Sequence, residues 1–476
     1  MKRAHRLDAA AAVIAVSAFA AMDSAMSPSQ EQVIATLHLS AVQYAWVSAT
    51  QFLFIAISAP LIGRCGDVFD KRSVLAITLG LACAGGLLAG SATSILTYMV
   101  TQTLLCAWVG ALTVAMALMA ELSSPDRKAS GQGMLQGATG FFASAALLGA
   151  GPVMNAFGTL SLFWLPAAIA VPCVFVLGRR LFQPRAAVAP AASARPKELD
   201  VHGALSLGGM LALLSVTLQF IATGGWMTGL AIACLGAVGV MLPRWVRARR
   251  KQASPFVDVA LLARRDVARI HVVSLALGVG TTAIYVLLPM MVTAASAAGA
   301  GYGSSALVVG ALLLPTGLTS ILLVPAYAPL DRHLGPRGVL VLGLACMAAA
   351  LAIPVFWRQA IWPLLACTTL FGTGISLAYT EGITELLRIV PAERGAGVGG
   401  TFQLGKTIGA LIGTAGFSVV LGAGGDTGAV AGLAQLSTAF AIAAGVAILG
   451  MLVAAGAGAR QTALGDNHLV PRRLED

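Results

Sequence analysis

The chain has 476 residues, of which 58% are hydrophobic, a further 54 are glycine and only 10% are charged, with a mean hydropathy of +0.86. An average soluble domain carries about 25% charged residues, so this composition excludes a water-soluble enzyme or a nucleic-acid-binding protein and implies a polytopic membrane protein. The net charge of +11 is explained below by topology rather than by an acidic partner.

A bilayer core of about 30 Å takes about 20 apolar residues in a helix. Fourteen such runs occur in chain order: 9–30, 43–62, 73–92, 97–120, 132–154, 160–177, 203–222, 226–243, 269–292, 304–327, 338–355, 361–384, 398–420 and 433–456. They are continuous rather than alternating, which predicts helices and not a transmembrane barrel. The basic start (Lys2, Arg3, Arg6) before the alanine-rich 9–21 is similar to a secretory leader. The next run follows so soon that it is read instead as a first membrane helix that stays attached. The seven cysteines are scattered singly, with no spacing suited to a metal, and are read as packing residues.

Fourteen crossings with both termini inside satisfy the positive-inside rule. Of the 30 lysines and arginines, Arg358 alone falls in a connection on the outer side and Lys406 alone in the interior of a run, Arg269 standing at the inner edge of another. The stretch 179–202, rich in proline and alanine, reads as a cytoplasmic linker. The stretch 244–268, with Arg247, Arg249, Arg250 and Lys251, reads as a basic loop whose 256–262 segment lies along the interface.

Two connections are repeated. Gly63, Gly66, Asp67, Asp70, Lys71 and Arg72 follow the second run; Asp331, Arg332, Gly335 and Arg337 follow the tenth. Arg127 with Gly131 and Gly133 follows the fourth run; Arg394 with Gly395, Gly397 and Gly399 follows the twelfth. The offsets are 264 residues for Asp67 to Asp331 and 267 for Arg127 to Arg394. The chain therefore divides into a six-helix bundle at 1–178, an inserted helix pair at 203–243, a second six-helix bundle at 269–456 and a tail at 457–476. Duplicated halves are the architecture of secondary transporters. Asp67 is placed to accept from helix N-terminal amides or to pair with an arginine, and such contacts can latch one state of a rocking device.

These motifs resemble the major facilitator superfamily, and within it the 14-helix drug:proton antiporter branch. Gly63, Asp67, Lys71 and Arg72 match its inter-helix motif, with Asp70 in place of a glycine. Met22-Asp23 echoes the first-helix Leu-Asp signature, Trp46 the second-helix tryptophan, and 200–204 and 254–262 the passages into and out of the inserted pair. Gly149, Gly151 and Pro152 retain part of the fifth-helix antiporter motif, whose closing glycines are here Asn155 and Ala156. The superfamily's fourth-helix arginine has no counterpart around 103–110. The resemblance implies a major facilitator fold and latch roles for Gly63, Asp67, Lys71, Arg72, Arg127, Asp331, Arg337 and Arg394.

Ionisable side chains at membrane depth are functional candidates by default. Lys406 lies eleven residues beyond Gly395, about 16 Å along a helix. Glu381 and Glu385 share a face of the twelfth run, so a Lys406–Glu381 pair is expected. Asp23 is the deep acid of the first run. Asp23 and Glu381 are the expected proton or cation sites, tuned by Lys406; a structural ion pair is the alternative. His202 and His271 lie near run ends, and no Gly-x-Ser-x-Gly or P-loop pattern occurs. The expected function is proton-coupled efflux of hydrophobic or cationic small molecules across the cell membrane, by a monomer needing no cofactor. An uptake carrier for a small metabolite is the alternative.

Overall fold

In the computed structural model the description covers all residues except 1–2, 39–40, 124–127, 180–199, 224–226, 251–257, 294–301, 303, 305, 358–359, 391–393, 423–431 and 457–476. The first part of the chain forms α1 (Arg3–Thr36), α2 (Ala41–Val68), α3 (Lys71–Ala89), α4 (Ile95–Leu105), α5 (Ala107–Leu122), α6 (Lys128–Phe157) and α7 (Ser161–Gly178). There follow α8 (Val201–Thr223), α9 (Met227–Arg250) and the single turn α10 (Val259–Leu262). The last part forms α11 (Arg265–Thr282), a π-helical turn (Ala283–Leu287), α12 (Leu288–Thr293) and α13 (Ala306–Leu322). A 3-10 turn (Val324–Ala326) leads into α14 (Tyr327–Phe356), then α15 (Trp362–Ile389), α16 (Gly395–Gly422) and α17 (Leu433–Ala455).

Each apolar run falls on helix, with α4 and α5 sharing one run, and α11, the π turn and α12 another. Among the described residues, nine helical stretches are long and apolar enough to cross a membrane. The helices outrun the apolar runs at their basic ends. Residues 63–67, expected in a loop, are the last turns of α2, and Arg247, Arg249 and Arg250 close α9 rather than forming a loop. The second repeated connection is helical up to Gly335, whose φ of +69° breaks α14. Hydropathy marks only the part of a helix in hydrocarbon, whereas backbone hydrogen bonding continues into the interface. Asp70, where the family motif has glycine, caps α3 by accepting from the Ser73 amide at 2.9 Å. All seven thiols are free.

The packing repeats as the sequence does. In the first half α1 packs on α6 and α7, α3 on α7, and α2 on α5. In the second half the corresponding helices α11 pack on α16 and α17, α14 on α17, and α13 on α15. Two seams join the halves, α2 against α16 and α6 against α13, which are each other's counterparts. Both seams are narrow because small residues line them. A Cβ on Gly400 would lie 2.6 Å from the Ala59 carbonyl oxygen, and one on Gly317 would lie 2.5 Å from that of Gly140. The inserted pair breaks the symmetry. Ala204, Leu207, Met210 and Leu211 of α8 share an apolar cluster with Ile57 of α2 and Leu404 of α16, covering one seam. Asp200 anchors this pair by pairing with Arg249 at 2.5 Å and accepting from the Gly203 amide at 2.8 Å.

Candidate functional site

Two clusters hold the residues singled out in the sequence. The first lies at mid-bundle. Asp23 on α1 is exposed, and it lies within electrostatic reach of Lys406 on α16, in the opposite half. The Lys406 ammonium stands 5.1 Å from the centre of the Tyr379 ring on α15, a cation–π arrangement. Tyr379 is itself fixed: its hydroxyl donates to Gln403 Oε1 at 3.0 Å and its ring meets Phe402 edge-on. On the first half, Cys106 stands at the interruption between α4 and α5, within electrostatic reach of Asp23, and its Sγ donates to the Gln51 carbonyl at 3.6 Å. The Gln51 side chain donates to Gln102 Oε1 at 2.7 Å.

The expected Lys406–Glu381 pair is not formed. Glu381 Oε1 accepts from Arg388 Nη1 at 3.1 Å, and Arg388 Nη2 also donates to Asp331 at 2.8 Å. Glu385, one turn on, pairs instead with Arg269 of α11. The physical reason is reach: Arg388 lies on the same helix as Glu381 and pairs with it, while Lys406 lies over Tyr379 within reach of Asp23. Sequence reasoning passed over Gln51, Gln102, Tyr379 and Gln403, although polar side chains within apolar runs were a readable signal. His271 bridges the Val267 carbonyl and the Thr401 hydroxyl at 2.9 and 3.0 Å, joining α11 to α16.

The second cluster lies at the basic ends of the helices. Asp67, at the end of α2, accepts from the backbone amides of Ala396 at 2.8 Å and Gly397 at 2.9 Å, the first turn of α16 in the other half. A carboxylate there meets both unpaired amides and the positive end of the helix dipole. The contact needs Gly63, because a Cβ there would collide with the Ala396 carbonyl oxygen. Lys71 pairs with Glu121 at 3.2 Å. Arg72 and Arg179 both bind Asp8, at 2.8 and 2.6 Å, and Asp8 is 1% exposed. This ties α1, α3 and α7 together within one half. Arg394 pairs with Asp258, the residue capping α10, at 3.2 Å. Arg337 lies in α14 just beyond the break at Gly335. Arg127 lies outside the described residues.

Of the antiporter-like motif, Gly149 and Gly151 have open space where a Cβ would stand, and Pro152 is exposed within α6. The Trp46 side chain lies outside the described residues. No group of three or more metal-ligating side chains is found among the described residues.

The family model described as Major Facilitator Superfamily matches residues 12–263, more than half of the chain. The chain belongs to the Major Facilitator Superfamily. Two curated relatives within its reach are named multidrug resistance protein B homolog, both from Mycobacterium tuberculosis. The one from strain ATCC 25618 / H37Rv is 27% identical over 421 residues, 83% of this chain and 72% of the relative. The one from strain CDC 1551 / Oshkosh is 26% identical over 418 residues, with the same coverage. Solved structures share the superfamily fold. The human organic anion transporter MFSD10 (TETRAN) matches with a TM-score of 0.62 at 14% identity, over 94% of this chain and 99% of that one. A bacterial homologue of the iron transporter ferroportin, in an outward-facing state, matches with a TM-score of 0.65 at 12% identity, over 95% and 99%. The protein is thus a multi-pass membrane transporter.

Proposed function

We propose that this superfamily member is a proton-coupled exporter of hydrophobic or cationic small molecules, working by alternating access between the halves 1–178 and 269–456. The observation that carries the reading is that Asp23 and Lys406 lie within electrostatic reach of one another from opposite halves. A charge at membrane depth is costly unless it is paired or reaches water, so each charge relieves the other while the two are near. Rocking the halves changes their separation. A proton or a cationic guest then takes the place of Lys406 at the carboxylate. Lys406 supplies from α16 the cation that the fourth run lacks around 103–110, and Tyr379 steadies it.

Asp67 is the latch in this reading. Its two amide contacts exist only while the basic ends of α2 and α16 are together, and separation of those ends opens that side. Glu381 belongs to the frame of the second half, held with Asp331 by Arg388. The names of the mycobacterial relatives support an efflux role. The reading puts the termini and basic loops on the cytoplasmic side of the cell membrane, with one chain as the transport unit.

The test is dye accumulation in cells expressing the chain, with and without a collapsed proton gradient. The wild type is expected to lower accumulation only with the gradient intact, and Asp23→Asn is expected to abolish this. Gradient-driven extrusion that survives fully in Asp23→Asn overturns the coupling assignment, and gradient-driven accumulation reverses the direction to uptake.

A further inference from the structure

The inserted pair has an inner and an outer helix. α8 lies against α2 and α16, whereas α9 packs on α8 and α10 and forms the outside of the pair. One face of α9 is spent on α8: the Trp245 indole donates to Ser206 Oγ at 3.0 Å, and Arg249, four residues on, pairs with Asp200 at 2.5 Å. At 3.6 residues per turn the opposite face carries Ile232, Val240 and Arg247, flanked by Arg244 and Arg250. Ile232 and Val240 are 62% and 51% exposed, and the three arginines are exposed as well. Among the described residues none of these three arginines is paired with a carboxylate, whereas Arg249 is.

Charge and hydropathy change together along this face. Arg244 directly follows the apolar run 226–243, so the guanidiniums begin where hydrocarbon gives way to headgroups. Three-residue steps raise the arginine α-carbons by ~9 Å and fan them over ~120°, a spread that long, flexible arginine side chains can close around one phosphate. Basic side chains just outside a membrane helix attract anionic headgroups. A lipid also carries its phosphate and its apolar chain in the order in which this face presents its arginines, then Val240 and Ile232. A second copy of the chain fits worse, because two α9 faces related by a two-fold axis along the membrane normal would set like charges together. We propose that this face of α9 binds an anionic phospholipid, with its phosphate on Arg244, Arg247 and Arg250 and an acyl chain along Val240 and Ile232.

The probe is a phosphatidylglycerol with a diazirine in one acyl chain, photolysed with the full-length protein in phosphatidylcholine nanodiscs and mapped by mass spectrometry. Labelling of α9 between 232 and 243 is expected to saturate, with a yield about tenfold above that of a matching diazirine phosphatidylcholine at equal mole fraction. Arg244→Gln, Arg247→Gln and Arg250→Gln together should make the two yields equal, and Arg247→Gln alone should lower the preference about threefold. Arg264 and Arg265 are also exposed at the basic ends of the helices, and Arg264→Gln with Arg265→Gln should leave the preference intact. The unfolding temperature of each purified variant verifies folding. Equal yields from the two probes on the wild type overturn the proposal, as does a preference that survives in the folded triple variant and in Arg247→Gln. A preference lost equally in the 264 and 265 variant shows charge spread over the whole end rather than a site. Displacement of the probe by excess inorganic phosphate, or photo-crosslinking of α9 to a second copy in place of lipid, likewise overturns it.

Discussion

The two repeated connections carry the same charge pattern and make opposite kinds of contact. Asp67 reaches across the seam to the first amides of α16, whereas Asp331, 264 residues later, is held within its own half by Arg388. The first half has its own internal frame in Asp8, which holds Arg72 and Arg179. In the proposed rocking of the halves, a contact inside a half travels with it and contributes to stability. A contact across the seam forms and breaks with the motion and contributes to the balance between states. The two connections hold similar residues, and the packing gives them different partners.

Substitutions can break or sharpen this contrast, beginning with the frame. Asp8→Ala leaves two arginines without their buried partner and is expected to destabilise the protein by about 3–5 kcal/mol, measured by denaturant unfolding of the purified protein. An unfolding midpoint equal to that of the wild type would show that the cluster is not a frame. Next comes the latch. Asp67→Ala removes two charge-assisted hydrogen bonds, worth about 1.5–3 kcal/mol each before relaxation, so a transport loss of about tenfold or more is expected with little change in unfolding. Asp331→Ala, measured alongside, should alter transport less than Asp67→Ala does; equal losses would erase the distinction between the two connections.

A smaller effect is expected at Gly63. The added methyl in Gly63→Ala meets the Ala396 carbonyl oxygen, and overpacking of this kind costs about 1–3 kcal/mol. The strain exists only while the seam is closed, so cysteine labelling at the basic end of α2 should rise. Unchanged labelling would mean that the seam yields elsewhere. The smallest effect belongs to Gly149→Ala. Nothing lies within 4 Å of the added Cβ, and stability should stay within about ±0.5 kcal/mol of the wild type in the same unfolding assay.

Composition and periodicity alone determined a great deal here. A chain with 10% charged residues and fourteen apolar runs has to satisfy its backbone internally in lipid, and helices do this locally without reference to distant residues. The repeated spacing was equally legible, because Asp67 and Asp331, or Arg127 and Arg394, recur at nearly one offset however the chain folds. Only the tertiary structure decided which charge meets which. Lys406 and Glu381 lie on consecutive helices, yet Glu381 is claimed by Arg388 seven residues away, and Lys406 looks across to Asp23, nearly four hundred positions earlier. Side-chain pairing depends on helix rotation and on which helices adjoin, and both are set by packing at the seams.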